Sequence, residues 1–490
     1  MKILNLLVMF IVLSSCGGEK KETPVKTENQ PNSVDVKNTK TKEEVDSKNN
    51  QLQIKKDLST PKIIKKIKVP KTYDEKFDDL AKIISGLRVS ENSPYAVVMK
   101  EKSWKAYEYR INDLWKSTVE KKMGIMQKWS QQELSDIHKE SGVLFYPFSG
   151  PDFLHAQILF PSADETVMIG LEPIGSVPDI NEINKNGLRS YLKKVEATLE
   201  HILKLSFFRT VSMKAQMFNK DYKEIDGTLP TLMFFMARMG NKILNIEKVV
   251  INSDGKLVAA AQMKWDRHEA LGEKSDVSNK KSQVTGDDSV KKSEKLKVKK
   301  NKKAGKTHKK YKRKKGKSRR RKKRKSRVVV APVYGNRITF ESPDGKTRTL
   351  VYFSMNLSDG EFHNIEGLQK RKDVMNYLNS LKIITTYVKS ASYLMYKSYF
   401  VVIRDFILSK TKYFLQDDSG MPIKYISGDK FTSTFYGTYS KPIKLFKMYT
   451  QKDLKKIYRE NKNIKRLPFG IGYHIVRGNS NLQLFKRKNK

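Results

Sequence analysis

Between Asp266 and Arg327 the chain carries 28 Lys or Arg against seven Asp or Glu, and no hydrophobic core can be built from such text. Like charges at that density repel one another and keep a segment extended. The densest part, 309–327, contains Arg319-Arg320-Arg321-Lys322-Lys323-Arg324-Lys325. The sequence therefore predicts a disordered Lys/Arg-rich insert over 266–327. Any folded domain has to be assembled from the stretches on either side, 71–265 and 328–490. Of the net charge of +46, the insert supplies +21 and the rest of the chain +25, so the flanks are basic as well. Such a balance points to polyanionic partners and says nothing about fold.

Both flanks are foldable text. The chain is 38% hydrophobic and 10% aromatic, richer than a disordered chain would be. Phe77, Leu80, Ile83 and Ile84 have helical spacing, and Trp104, Tyr107, Ile111, Leu114 and Trp115 lie on one face of a helix over 103–130. Short apolar runs at 143–146, 157–160 and 167–171, broken by Pro, Gly and Asp, read as strands. Helices are expected over 183–205, 229–239, 366–381 and 390–408, and an amphipathic helix near 451–458. Two hairpins turn on Asn252-Ser253-Asp254-Gly255 and Ser342-Pro343-Asp344-Gly345. There is no regular βαβ alternation and no repeat. The expected class is α+β, helices mixed with antiparallel hairpins; the stretches on either side of the insert are expected to complete one domain, with two domains joined by a basic linker as the alternative.

The chain opens with Met1-Lys2 and an apolar run from Ile3 to Leu13, interrupted only by Asn5. Eleven residues are too few to span a bilayer, which takes about 20, but suit a secretory signal, whose apolar region runs to roughly 7–15. Leu13-Ser14-Ser15-Cys16 follows, and it resembles the lipobox of bacterial lipoproteins. That resemblance implies a signal peptide over 1–15, cleavage before Cys16, and lipid on the Cys16 thiol and on the new amine. Two or three acyl chains anchor stably where one is marginal. Cys16 is also the chain's one cysteine, so no intramolecular disulfide can form. Residues 16–70, rich in Lys, Glu, Thr, Asn and Pro with no aromatic before Tyr73, read as a disordered tether between lipid and domain. The expected address is the envelope of a bacterium, at its outer membrane.

The chemistry-bearing motifs are sparse. There is no HxH, HExxH or CxxC spacing, so no metal is expected. There is no Walker A sequence and no GxGxxG after a strand, so no nucleotide cofactor is expected. Gly470-Ile471-Gly472 sits in strand-like text and reads as close backbone packing. Ser149, Asp152 and His155 could form a nucleophilic trio, although such triads assemble in space rather than in short runs. Asp417 and Asp418 follow the apolar run Tyr413-Phe414-Leu415, and Asp359 and His363 follow the strand-like 350–353. Acids at separate strand ends could meet as general acid and base. The competing reading is ordinary turn chemistry. Arg209 and Arg404 are charges in apolar text and read as capping buried ion pairs rather than binding substrate.

Four segments, Tyr146-Pro147-Phe148-Ser149-Gly150-Pro151-Asp152, Gly170-Leu171-Glu172-Pro173-Ile174-Gly175-Ser176, Leu415-Gln416-Asp417-Asp418-Ser419-Gly420 and Leu467-Pro468-Phe469-Gly470-Ile471-Gly472-Tyr473, resemble an uncharacterised family of exported bacterial proteins. That resemblance covers most of 75–265 and 330–475 and implies no mechanism. The sequence thus predicts a lipid-anchored envelope protein that binds or scaffolds, with Arg319, Arg320, Arg321, Lys322, Lys323, Arg324 and Lys325 available to lipopolysaccharide, acidic polysaccharide or extracellular DNA. A hydrolase using carboxylates and a structural envelope component with an incidental insert are its rivals.

Overall fold

A computed structural model describes residues 73–181, 183, 187–205, 227–262, 332–362, 371–473 and 480–489. The signal peptide, tether, Cys16 and basic insert read from the sequence lie outside these residues. The fold is α+β. Ten strands form one sheet in the order β4-β3-β5-β6-β2-β1-β7-β8-β10-β9. They are β1 (Val143–Pro147), β2 (Glu165–Gly170), β3 (Lys242–Ile251), β4 (Leu257–Ala259), β5 (Tyr334–Glu341), β6 (Thr347–Ser354), β7 (Ile383–Val388), β8 (Tyr413–Gln416), β9 (Phe431–Gly437) and β10 (Asn481–Arg487). Strands from before and after the basic segment interleave in it.

The two hairpins form as read, β3 with β4 and β5 with β6. The centre of the sheet is different. β6, β2, β1, β7 and β8 pair in parallel, each with the next, across separations that no local pattern announces.

Strand side chains alternate between two cores. Leu144 and Tyr146 enter one core together with helices α1 (Lys76–Ile84), α2 (Lys102–Trp115), α3 (Lys121–Glu133), α4 (Phe153–Leu159), α5 (Leu188–Leu205) and α6 (Leu229–Arg238). Val143 and Phe145 enter the other, covered by α7 (Lys372–Ser380) and α8 (Val401–Lys410). The sheet is therefore a middle layer with helices on both faces. Helix α2 buries Trp104, Tyr107, Ile111 and Trp115 as its spacing requires, and a π-helical turn, Lys116–Glu120, joins it to α3. Helix α9 (Lys452–Glu460) packs through Leu454 on Phe435 of β9.

Three sequence readings are corrected. The run 157–160 is not a strand: Gln157 to Leu159 belong to α4, which Asp152 caps, and Phe160 follows its end. A short apolar run cannot by itself distinguish a strand from a fully buried helix. The helix expected over 390–408 begins only at Val401, because Ser390, Ser392 and Tyr393 have positive φ of 53°, 51° and 56°. The Gly470-Ile471-Gly472 text is a loop before β10, with Gly472 at φ 68°, rather than strand. Strand β7 goes unread in the sequence.

Candidate functional site

The carboxyl ends of the parallel strands lie along one edge of the sheet. There the chain leaves β1 through α4 on one face to reach β2, and leaves β7 through α8 on the opposite face to reach β8. In open sheets of this kind ligands are held outside the strand ends where crossovers diverge in this way. Backbone strain gathers at the same place. Phe148 after β1, and Ser390, Ser392 and Tyr393 after β7, are four of the five non-glycine residues with positive φ among those described. Each such residue costs roughly 1–3 kcal/mol and persists only where its surroundings over-determine it.

At the β1–β7 junction, Asp152 accepts hydrogen bonds from Tyr146 Oη at 2.7 Å and His155 Nδ1 at 2.7 Å, and pairs with Lys389 Nζ at 2.7 Å. Lys389 Nζ also lies 3.1 Å from His155 Nδ1. All four side chains are buried. Burial alone would raise the Asp152 carboxyl, but the charges and hydrogen bonds of His155 and Lys389 outweigh it and hold the group well below the usual carboxylate range. Burial lowers His155, and Lys389 adds to that against the opposing pull of Asp152. This is a compensated ion pair with a histidine locked beside it. The Ser149 hydroxyl completes no triad, since it donates to the Ile169 carbonyl at 3.3 Å.

One strand along, Asp417 and Asp418 are buried at the end of β8. Asp417 accepts from the Ser390 amide at 2.9 Å, the Ser419 amide at 3.0 Å and the Ser419 hydroxyl. Asp418 accepts from the Tyr393 hydroxyl and from Asn481 Nδ2 at 3.1 Å, while its carbonyl takes the Tyr396 hydroxyl at 2.7 Å. Burial, then the charge of Asp418, push the Asp417 carboxyl from 3.8 up to about 6, against the lowering hydrogen bonds of Ser419 and Ser390. These bonds also explain the strained turn after β7. The Ser390 amide is bound by Asp417 and the Ala391 amide by Ser419 Oγ at 2.8 Å, so the backbone curls around side-chain acceptors instead of starting a helix.

The loop before β10 closes over this pair. Tyr473 donates to the Ser390 carbonyl at 2.8 Å and its hydroxyl meets Ser392 Oγ at 2.8 Å. A Cβ at Gly472 would fall 2.5 Å from Asp417 Oδ2. On the β2 side, Tyr352 bonds the Glu172 carbonyl at 3.0 Å, and a Cβ at Gly170 would lie 3.0 Å from the Gly150 Cα. The four segments singled out in the sequence thus meet along one edge. Two buried hydroxyls there, Tyr387 Oη and Ser390 Oγ, have no hydrogen-bond partner among the described residues. Burial pushes the Tyr387 hydroxyl well up, and the charges of Asp152 and Asp417 add to that.

Asp417 and Asp418 come together as their spacing requires. Asp359 does not join them: its two carboxylate oxygens accept from the Val401 and Val402 amides at 3.1 and 3.0 Å and cap α8. His363, Arg209, Cys16 and the run Arg319, Arg320, Arg321, Lys322, Lys323, Arg324 and Lys325 lie outside the described residues. Arg404 is buried and donates to the Met395 and Lys397 carbonyls at 2.8 Å each, over the Tyr425 ring. No group of three or more potential metal ligands occurs among the described residues. Lys389, Tyr387 and Tyr393 were missed, and the available signal was a lysine directly after Thr385-Thr386-Tyr387-Val388. Comparison with protein-family models, curated proteins and solved structures gave no match.

Proposed function

We propose that this chain is a lipid-anchored cell-envelope protein whose α+β domain works by binding, with its basic segment available to polyanions. One observation carries the choice of binding over hydrolysis. The carboxylates at the strand ends are occupied by the protein's own donors, four for Asp152 and three for Asp417. An acid–base catalyst needs a carboxyl open to its substrate, whereas groups satisfied internally make loops rigid, and rigidity favours a preorganised binding edge. The lipobox-like Leu13-Ser14-Ser15-Cys16 and the run 319–325 support the anchor and the polyanion partner.

The address is tested by intact mass of protein extracted from native membranes, beside a Cys16→Ala variant. Acyl mass on an N-terminal Cys16, with the variant left unprocessed, is expected; an unmodified Cys16 defeats the anchor. Polyanion binding should weaken steeply with salt and vanish when 291–327 are deleted. Retention after that deletion removes the basic run from the account. The hydrolase remains the second reading, favoured by a proton-holding Asp417 beside Asp418. Turnover of model glycosides or esters near pH 6 that Asp417→Asn abolishes in folded protein would establish it.

A further inference from the structure

Residues 441–466 carry ten Lys or Arg against two acids and include two short helices in succession after β9. The first part is the 3-10 helix Lys444–Tyr449, kinked at Phe446. Residues three apart share a ridge in such a helix, and the exposures follow suit. Phe446 is buried, its ring 4.9 Å from Tyr393 and 5.2 Å from Tyr473. Leu445 and Met448 point the other way, 62% and 74% exposed. Lys441, Lys444 and Lys447 are exposed beside them. In α9 the same division continues. Leu454 is buried and Tyr458 packs on Phe435 at 5.7 Å, while Lys452, Lys455, Lys456 and Arg459 face out. Lys462, Lys465 and Arg466 extend the exposed charge.

Two of the ten cations are paired, Arg459 with Glu460 and Lys465 with Glu133. The others form no ion pair among the described residues. A solvated helix face would explain the lysines alone. It does not explain two large apolar side chains held out in their midst by a neighbour anchored in the core. Cations around projecting apolar side chains fit a surface whose phosphates are mobile and which has hydrocarbon just beneath. No helix among the described residues is long and apolar enough to cross a membrane, so the fit is to a surface lain upon and not spanned.

The geometry points to residues 441–466 as a docking face for an anionic phospholipid bilayer, with Leu445 and Met448 entering the headgroup layer and the surrounding lysines on its phosphates. This goes beyond the lipid anchor and does not depend on it. The test therefore uses the full chain with Cys16→Ser, which also removes the chain's one thiol. Met448→Cys then carries a polarity-sensitive fluorophore, and Tyr109→Cys, at a site 77% exposed on α2, is the control. On phosphatidylglycerol vesicles the label at 448 should brighten about twofold or more and shift to the blue, with no change on phosphatidylcholine and none at 109. Leu445→Cys should repeat the result. Lys444→Glu, Lys447→Glu, Lys455→Glu and Lys456→Glu together should weaken that response by on the order of tenfold. Vesicle-bound protein whose label at 448 stays aqueous would show the basic segment alone doing the binding and overturn the face. Absence of any vesicle response overturns it too, and leaves an acidic protein as the occupant.

Discussion

Lys389 neutralises Asp152 in a site closed to water, and the value of that pairing is read best by breaking it. Removing one partner of a buried pair leaves an uncompensated charge and costs about 3–5 kcal/mol. Lys389→Met should therefore lower unfolding free energy by about that much in urea denaturation. Asp152→Asn with Lys389→Met should recover part of the loss, and a double change that costs the sum of the two single changes would mean that the pair is not coupled. Asp417 offers a second reading at this scale, through pH. Its folded form holds a proton up to about pH 6, where the unfolded carboxyl releases it near 3.8. Its contribution to stability is thus fully present below about pH 4 and is lost as pH rises to 6, on the order of 3 kcal/mol in all. Asp152 has the opposite sign: its lowered carboxyl adds stability above 3.8 that is lost at lower pH. Between pH 4 and 6 the wild type should lose stability relative to Asp417→Asn; parallel curves in that window would refute the raised carboxyl.

Among the elements, the loop before β10 has a shape that depends on a missing side chain next to the buried acids. Gly472 sits at φ 68° with its absent Cβ directed at Asp417, whereas Gly345 has φ 75° and open space. Gly345→Ala should cost about 1 kcal/mol, the strain of the backbone region alone. Gly472→Ala should cost a further 1–2 kcal/mol or so through the displaced carboxylate, seen as a lower thermal midpoint. The elements also divide by how far they could be read in advance. The hairpins announced themselves because Asn-Ser-Asp-Gly and Ser-Pro-Asp-Gly put the turn and both strands in one window. Helix α2 did so by spacing. Strand β7 did not, since Ile383 to Val388 owes its conformation to β1, about 240 residues away. The acids at the end of β8 were legible as residues at a strand end. Their partners were not, because Ser390 and Tyr393 reach them only once β7 and β8 pair in parallel, and Asn481 only once β10 pairs antiparallel to β8.

At the level of the whole molecule, the sheet is interleaved. Strands β4 and β3 come from before the basic segment, β5 and β6 from after it, β2 and β1 from before, and β7, β8, β10 and β9 from after. Ala259 at the end of β4 and Gly335 near the start of β5 both stand opposite Val249, so the long excursion between them leaves and returns on either side of one strand, about 10 Å apart. The excursion is dense in the residues that trypsin cuts, and cutting it severs none of the ten described strands. A nicked chain should accordingly run as two polypeptides under denaturing conditions and as one particle in native gel filtration, and dissociation on nicking would contradict the interleaved sheet. The protein is, in effect, already a two-piece assembly that happens to be translated as one, and its halves, expressed separately, should find each other without any linker.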